Sequence, residues 1–118
     1  MNELEEKLLR EEVGDAKPRL CIRTKARIDA GRWWRRTPVW ICVVGNDLVM
    51  LAVAKRRYFE RIAIADCQAS HYSHATGRLM IEPGESLRIR GFEMPPRDAL
   101  QILSLIRDNQ SSKPTLTT

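Results

Sequence analysis

The densest group of chemically capable side chains in the sequence is the run Arg32-Trp33-Trp34-Arg35-Arg36. It sets three guanidinium groups around two indoles. Guanidinium forks match the oxygens of phosphate or carboxylate in pairs. An indole serves equally at a membrane interface, against a stacked base or at the centre of a protein contact. The chemistry of this segment is therefore recognition of an anionic or protein surface. The plainer alternative is that the tryptophans pack beneath their own loop and the arginines are solvated.

Two further groups of bases accompany it. Arg23, Lys25 and Arg27 alternate with Ile22, Thr24, Ala26 and Ile28, which puts the three bases on one face of a strand and the apolar residues on the other. Lys55-Arg56-Arg57 falls where one strand is expected to turn into the next. Lys25, Arg27, Arg32, Trp33, Trp34, Arg35, Arg36, Lys55, Arg56 and Arg57 are the candidate binding residues. Charge that protects a strand edge from unwanted pairing explains part of the same pattern.

Catalytic spacing is not found. His71 and His74 are three apart, which on a strand sends them to opposite faces, so one metal ion is not expected to hold both. Ser70-His71 is adjacency in sequence, not a nucleophile beside its base. There is no Gly-x-Ser-x-Gly, phosphate loop, His-Glu-x-x-His or Rossmann glycine pattern. Asp66, Glu82 and Glu85 sit near turns and form no convergent pair. The expectation is a non-enzyme without cofactor or metal. Cys21, Cys42 and Cys67 are far apart, odd in number and each set in apolar sequence, which reads as buried, reduced thiols.

These residues must be positioned by a chain of 118 residues, 43% hydrophobic and 30% charged, enough for one domain with its own core. The charge is uneven. Residues 1–16 hold six acids and two bases; residues 17–61 hold twelve bases and three acids, a net +9; residues 62–118 are balanced. Such a basic segment attracts anions. No apolar run approaches the length of a membrane span, and the glutamate-rich start resembles neither a secretory signal nor a transit peptide. A cytoplasmic location is expected, with the periphery of a membrane as an extension of it.

Periodicity predicts the elements. Residues 1–13 carry a narrow helical stripe, Leu4 with Leu8 and Leu9 with Val13. Strands are expected at 19–28, 37–44, 48–54, 55–63, 66–73, 78–82 and 86–90, with a turn at Gly45-Asn46-Asp47. Pro95-Pro96 opens a helix at 96–109, whose Ala99, Ile102, Leu103 and Ile106 share one face. The two continuous apolar runs 39–44 and 48–53 read as paired core strands. The division expected is an acidic helical extension at 1–16, the domain proper at 17–109 and a polar, mobile tail at 110–118.

Seven short strands followed by a helix resemble the pleckstrin-homology-like superfold. The Gly45-Asn46-Asp47-Leu48 centre of residues 39–54 resembles the second and third strands of bacterial pleckstrin-homology-like domains. Arg61-Ile62-Ala63-Ile64-Ala65-Asp66, Thr76-Gly77-Arg78-Leu79-Met80-Ile81 and the helix at 99–107 resemble later parts of the same fold. The resemblance implies a mainly β open barrel or sandwich of seven antiparallel strands, capped by the C-terminal helix. The short N-terminal helix lies outside it. It further implies a binding or self-assembly scaffold with a protein partner or a second copy as its ligand. In that family a lysine late in the first strand, here Lys25 or Arg27, helps to hold phosphoinositide headgroups. The Lys/Arg-x-Arg element that follows it has no counterpart in Arg35-Arg36-Thr37-Pro38. Peripheral binding of anionic phospholipid through the Trp-Trp-Arg-Arg loop is the second expectation. Nucleic acid is the least supported partner, since no RNA-recognition or helix-turn-helix pattern is present.

Overall fold

The N-terminal helix α1 (Glu3–Val13) begins with a reciprocal cap. Asn2 Oδ1 accepts the Glu5 backbone N–H at 2.9 Å, and Glu5 Oε1 accepts the Asn2 N–H at 2.9 Å. Two orphan donors of the first turn are thereby satisfied. This explains how Glu5 can be 5% exposed, since its carboxylate is turned back onto the backbone. Gly14, at φ +78°, ends the helix and donates its N–H to Arg10 O.

The computed structural model describes residues 1–15, 17–29, 36–53 and 57–112, and of residues 26–29, 36 and 109–112 it describes the backbone alone. After α1 come β1 (Leu20–Asp29), β2 (Arg36–Val44), β3 (Asp47–Val53) and β4 (Arg57–Ala63). They form an antiparallel meander in the order β1-β2-β3-β4. The β2–β3 turn is a two-residue connection closed by the Val44–Asp47 pair, and Gly45 takes the φ of +59° that it requires. A 3-10 turn (Ile64–Asp66) leads to a second antiparallel sheet of β5 (His71–Ser73), β6 (Arg78–Met80) and β7 (Gly91–Glu93). The last element is α2 (Pro96–Ser112).

The protein is thus mainly β, with two antiparallel sheets of four and three strands and a helix at each end of the chain. The sheets do not join into a closed barrel. β1 runs on beside β7 and so links them. Between the sheets lies the main core, where Ile41, Met50, Leu79, Ile81 and Phe92 are fully buried. The expected stripe of α2 enters it. Ala99, Ile102, Leu103 and Ile106 are 0–3% exposed and pack with those residues.

Three expected elements differ. Residues 86–90 are not a strand, and the seventh strand lies just beyond them. Leu87 is buried and Arg88 exposed, as the alternation required. The backbone is engaged elsewhere, however. Leu87 N donates to Gly84 O at 3.0 Å, and Arg88 N donates to both oxygens of Glu60, at 2.9 and 3.0 Å. A carboxylate has taken the place of a neighbouring strand. The same Glu60 accepts the buried Tyr58 hydroxyl at 2.5 Å, so one side chain of β4 ties the first sheet to the connection between β6 and β7. Secondly, residues 66–73 divide into the end of the 3-10 turn and the three-residue β5. Gln68, between them, donates its amide to Ile64 O and Ile106 O and so joins the 3-10 turn to α2. Thirdly, α2 continues three residues past Asn109, while residues 113–118 of the expected tail lie outside the described residues.

The pairing of β1 with β2 is irregular. Arg23 faces Trp40 and Arg27 faces Pro38, so β1 uses four positions where β2 uses two. Thr24 lies within this excess, and its hydroxyl donates to Val39 O at 2.7 Å, a side chain serving where the ladder is interrupted.

Candidate binding surfaces

The four-stranded sheet is covered on both faces. Ile22, Val39, Ile41, Val43, Leu48 and Met50 face the main core and α2. Cys42, Val44, Val49 and Leu51 point the other way and form a second cluster with Leu8 and Leu9 of α1. The acidic N-terminal helix is therefore a layer of the domain and not an appendage to it. Val13 is half-buried in this cluster, but Leu4, expected on the same stripe, is 61% exposed. Strands whose side chains are apolar on both faces demand cover on both. The runs 39–44 and 48–53, apolar at successive positions, carry that signal in addition to their pairing as core strands.

Arg23 and Lys25 of β1 are on the helix-bearing face. Arg23 is the register partner of Trp40, which belongs to the second cluster, and Arg23 and Lys25 are both exposed. Among the described residues neither has an ionic partner. Arg27 occupies β1 opposite Pro38, and Arg36 opens β2 opposite Asp29; their side chains lie outside the described residues. Arg57, at the start of β4, is exposed and forms an ion pair with Glu11 of α1 at 3.5 Å. Arg61, on the same strand, donates to Asp47 at 2.7 Å. Arg32, Trp33, Trp34, Arg35, Lys55 and Arg56 lie outside the described residues. What the topology does bring together is the flanking strand ends. Asp29, Arg36, Val53 and Arg57 all lie at one end of the meander, opposite the Gly45-Asn46 turn.

The histidines are engaged separately. His71 Nδ1 lies 3.4 Å from Glu82 Oε1, and the His74 ring meets Tyr72 edge-on with centroids 4.9 Å apart.

Two concave surfaces lie elsewhere. The first is a cleft of about 670 Å³ where the end of α1 and the chain after Gly14 pass over β1 and β2. Trp40 and Cys21 line it, with Arg10 and Lys17 at its sides. The sequence reading found neither Trp40 nor Cys21 as site residues, because each lies in an apolar run that reads as core. The second is a groove of about 590 Å³ between α2 and the start of β1, lined by Leu20, Leu100 and Leu105 with Arg19 and Arg97. Leu100 is 58% exposed there. Position 100 is not one of the i, i+3, i+4, i+7 positions 99, 102, 103 and 106, so an apolar residue there lies outside the buried stripe of α2. That was the available signal.

No protein-family model matches the chain, and neither a curated protein nor a solved structure is detectably similar to it. Among the described residues, no helix is long and apolar enough to cross a membrane.

Proposed function

We propose that the protein is a non-catalytic interaction module of the pleckstrin-homology-like type that assembles head to tail with further copies of itself. The fold label draws support from the order of elements, from the four- and three-stranded sheets and from the closing helix that fills the core between them. One observation carries the assembly reading. Among the described residues, the exposed large hydrophobic side chains are Leu4 and Leu100, which lie on helices that cover opposite faces of one sheet. They cannot cover each other within a chain. Leu4 sits on a helix with five glutamates against one lysine and one arginine, whereas Leu100 sits in a groove with Arg19 and Arg97. The two surfaces are complementary in charge and alike in exposing a leucine. Contact between them in successive copies is heterologous, which generates rings or filaments.

Sedimentation of the full chain at micromolar concentration tests this. Species larger than the monomer are expected, and they weaken as salt rises because exposed charges are screened. Leu4→Lys and Leu100→Glu each abolish growth beyond the monomer when alone. Mixed, they form a dimer and nothing larger, since each copy retains one intact surface. A monomeric wild type, or a Leu4→Lys variant that assembles as the wild type does, refutes the reading.

A second reading is a peripheral contact with anionic lipid headgroups. It draws on the strand ends that flank residues 30–35 and 54–56, which share one end of the sheet. Its test is salt-sensitive cosedimentation with phosphatidylserine vesicles, lost when Arg32, Arg35 and Arg36 are all replaced by Ala.

A further inference from the structure

Two cysteines separated by nearly the whole length of the β1–β2 hairpin in sequence become direct neighbours. The register of β1 on β2 sets Cys21 opposite Cys42. Directly opposed side chains have Cβ atoms about 4.5–5.5 Å apart, and a disulfide needs about 3.5–4.5 Å. A small side-chain and backbone adjustment closes that difference. The two thiols belong to the cluster under α1 and differ sharply in access. Cys42 is fully buried, while Cys21 is half-exposed and lines the cleft beside Trp40, Arg10 and Lys17. Cys67, the remaining cysteine, is buried in the main core.

We infer that Cys21 and Cys42 form a redox-active dithiol site, in which Cys21 reacts with hydrogen peroxide entering the cleft and Cys42 resolves the product into a disulfide within the chain. The Cys21 thiolate sulfur attacks the O–O bond of the peroxide. An S–O bond forms, the O–O bond breaks, and the departing hydroxide takes a proton and leaves as water. The Cys42 sulfur then attacks the Cys21 sulfenic acid. The S–S bond forms, the S–O bond breaks, and the hydroxyl leaves as water with the Cys42 proton. Two thiols are oxidised by two electrons in all, and one peroxide is reduced to two waters.

The environment assigns the roles in that order. The neighbouring Cys42 thiol holds Cys21 below the ordinary thiol range despite its partial burial. Cys42, beside Cys21 and the more buried of the two, is pushed well above that range. A more acidic thiol at the cleft with a less acidic, buried thiol beside it is the arrangement of an attacking and a resolving cysteine.

The test treats the native wild-type chain with a small excess of hydrogen peroxide, blocks remaining thiols with N-ethylmaleimide after unfolding, and measures intact and peptide masses. The expected result is a monomeric chain lighter by about 2 Da, the two hydrogens lost in disulfide formation. It carries one maleimide, on Cys67, and yields a linked peptide pair joining Cys21 to Cys42. In Cys42→Ala, dimedone captures a sulfenic acid on Cys21. In Cys21→Ala, Cys42 remains a thiol over the same time. The wild-type measurement stands without either variant, should one fold poorly. Three maleimides on the treated wild type, a link between two chains, or oxidation of Cys67 at the rate of Cys21 overturns the inference.

Discussion

Replacing Leu8 by Ala isolates what α1 contributes. Leu8 is 4% exposed and packs in the cluster formed with Cys42, Val44, Val49 and Leu51. Its side chain does not line the cleft, so the space left by truncation has no opening through which water could relax it. Buried leucines truncated to alanine cost about 2–5 kcal/mol, and the cost rises with the cavity left behind. About 3 kcal/mol is expected here, a large fraction of the 5–15 kcal/mol that holds such domains together. Leu9, at 6% exposure, lines the cleft, and Leu9→Ala is expected near the lower end of that range because its space opens to solvent. Leu4→Ala, on the exposed side of the same helix, is expected to lie within about 0.5 kcal/mol of wild type in the monomer. All three are measured by urea unfolding followed by circular dichroism, with the slope against urea required to stay constant so that midpoints report stability. Equal and small effects at Leu8 and Leu4 would refute the docking of α1 on the sheet.

Other perturbations address the core, the turns and alkaline pH. Ile102→Asp places an unpaired charge at a fully buried position, and a loss of several kcal/mol or outright unfolding is expected by the same assay. Gly84→Ala sets a Cβ 2.5 Å from Ile81 O, and the displaced backbone is expected to cost about 1–3 kcal/mol in thermal or urea unfolding. Thr24→Val removes the donor to Val39 O and is expected to cost about 1 kcal/mol. Burial pushes the Cys67 thiol up to about 11, and burial with the Glu60 hydrogen bond raises Tyr58 further. The unfolded chain therefore releases these protons at lower pH than the folded one. Their stabilisation is complete below pH 9 and declines above it, Cys67 first. Stability measured from pH 8 to 11 should fall, and less steeply in Cys67→Ala.

Much of the fold was legible because local pattern and tertiary demand coincide. The stripe of α2 is a single apolar face that one core absorbs. In β1, Ile22 and Thr24 go inward while Arg23 and Lys25 stay out. Legibility failed where a backbone found a partner that sequence does not show. Residues 86–90 alternate as a strand would, but their N–H groups meet Glu60 and Gly84, which lie far away and nearby respectively. The site was less legible for a related reason. Arginines and tryptophans advertise themselves by type, whereas Cys21 and Trp40 acquire meaning from register and from the helix that passes above them. The acidic helix α1 lies over a sheet built from the basic segment. The contact is mainly apolar, with the Glu11–Arg57 pair at its margin.

The uneven pairing of β1 and β2 has a mechanical meaning. Between Arg23 and Arg27 the strand carries two residues more than its partner, an even number. Because side chains alternate with a period of two, an even surplus leaves inward residues inward on both sides of it. The hairpin is divided into two paired segments on either side of this irregularity. Strain or insertions at the end near Asp29 and Arg36 can be absorbed at this joint. The packing of Cys21, Ile22 and their partners is thereby insulated. The irregularity thus separates the stretch of β1 that leads to the arginine-rich connection from the stretch that pairs through Cys21 and Ile22.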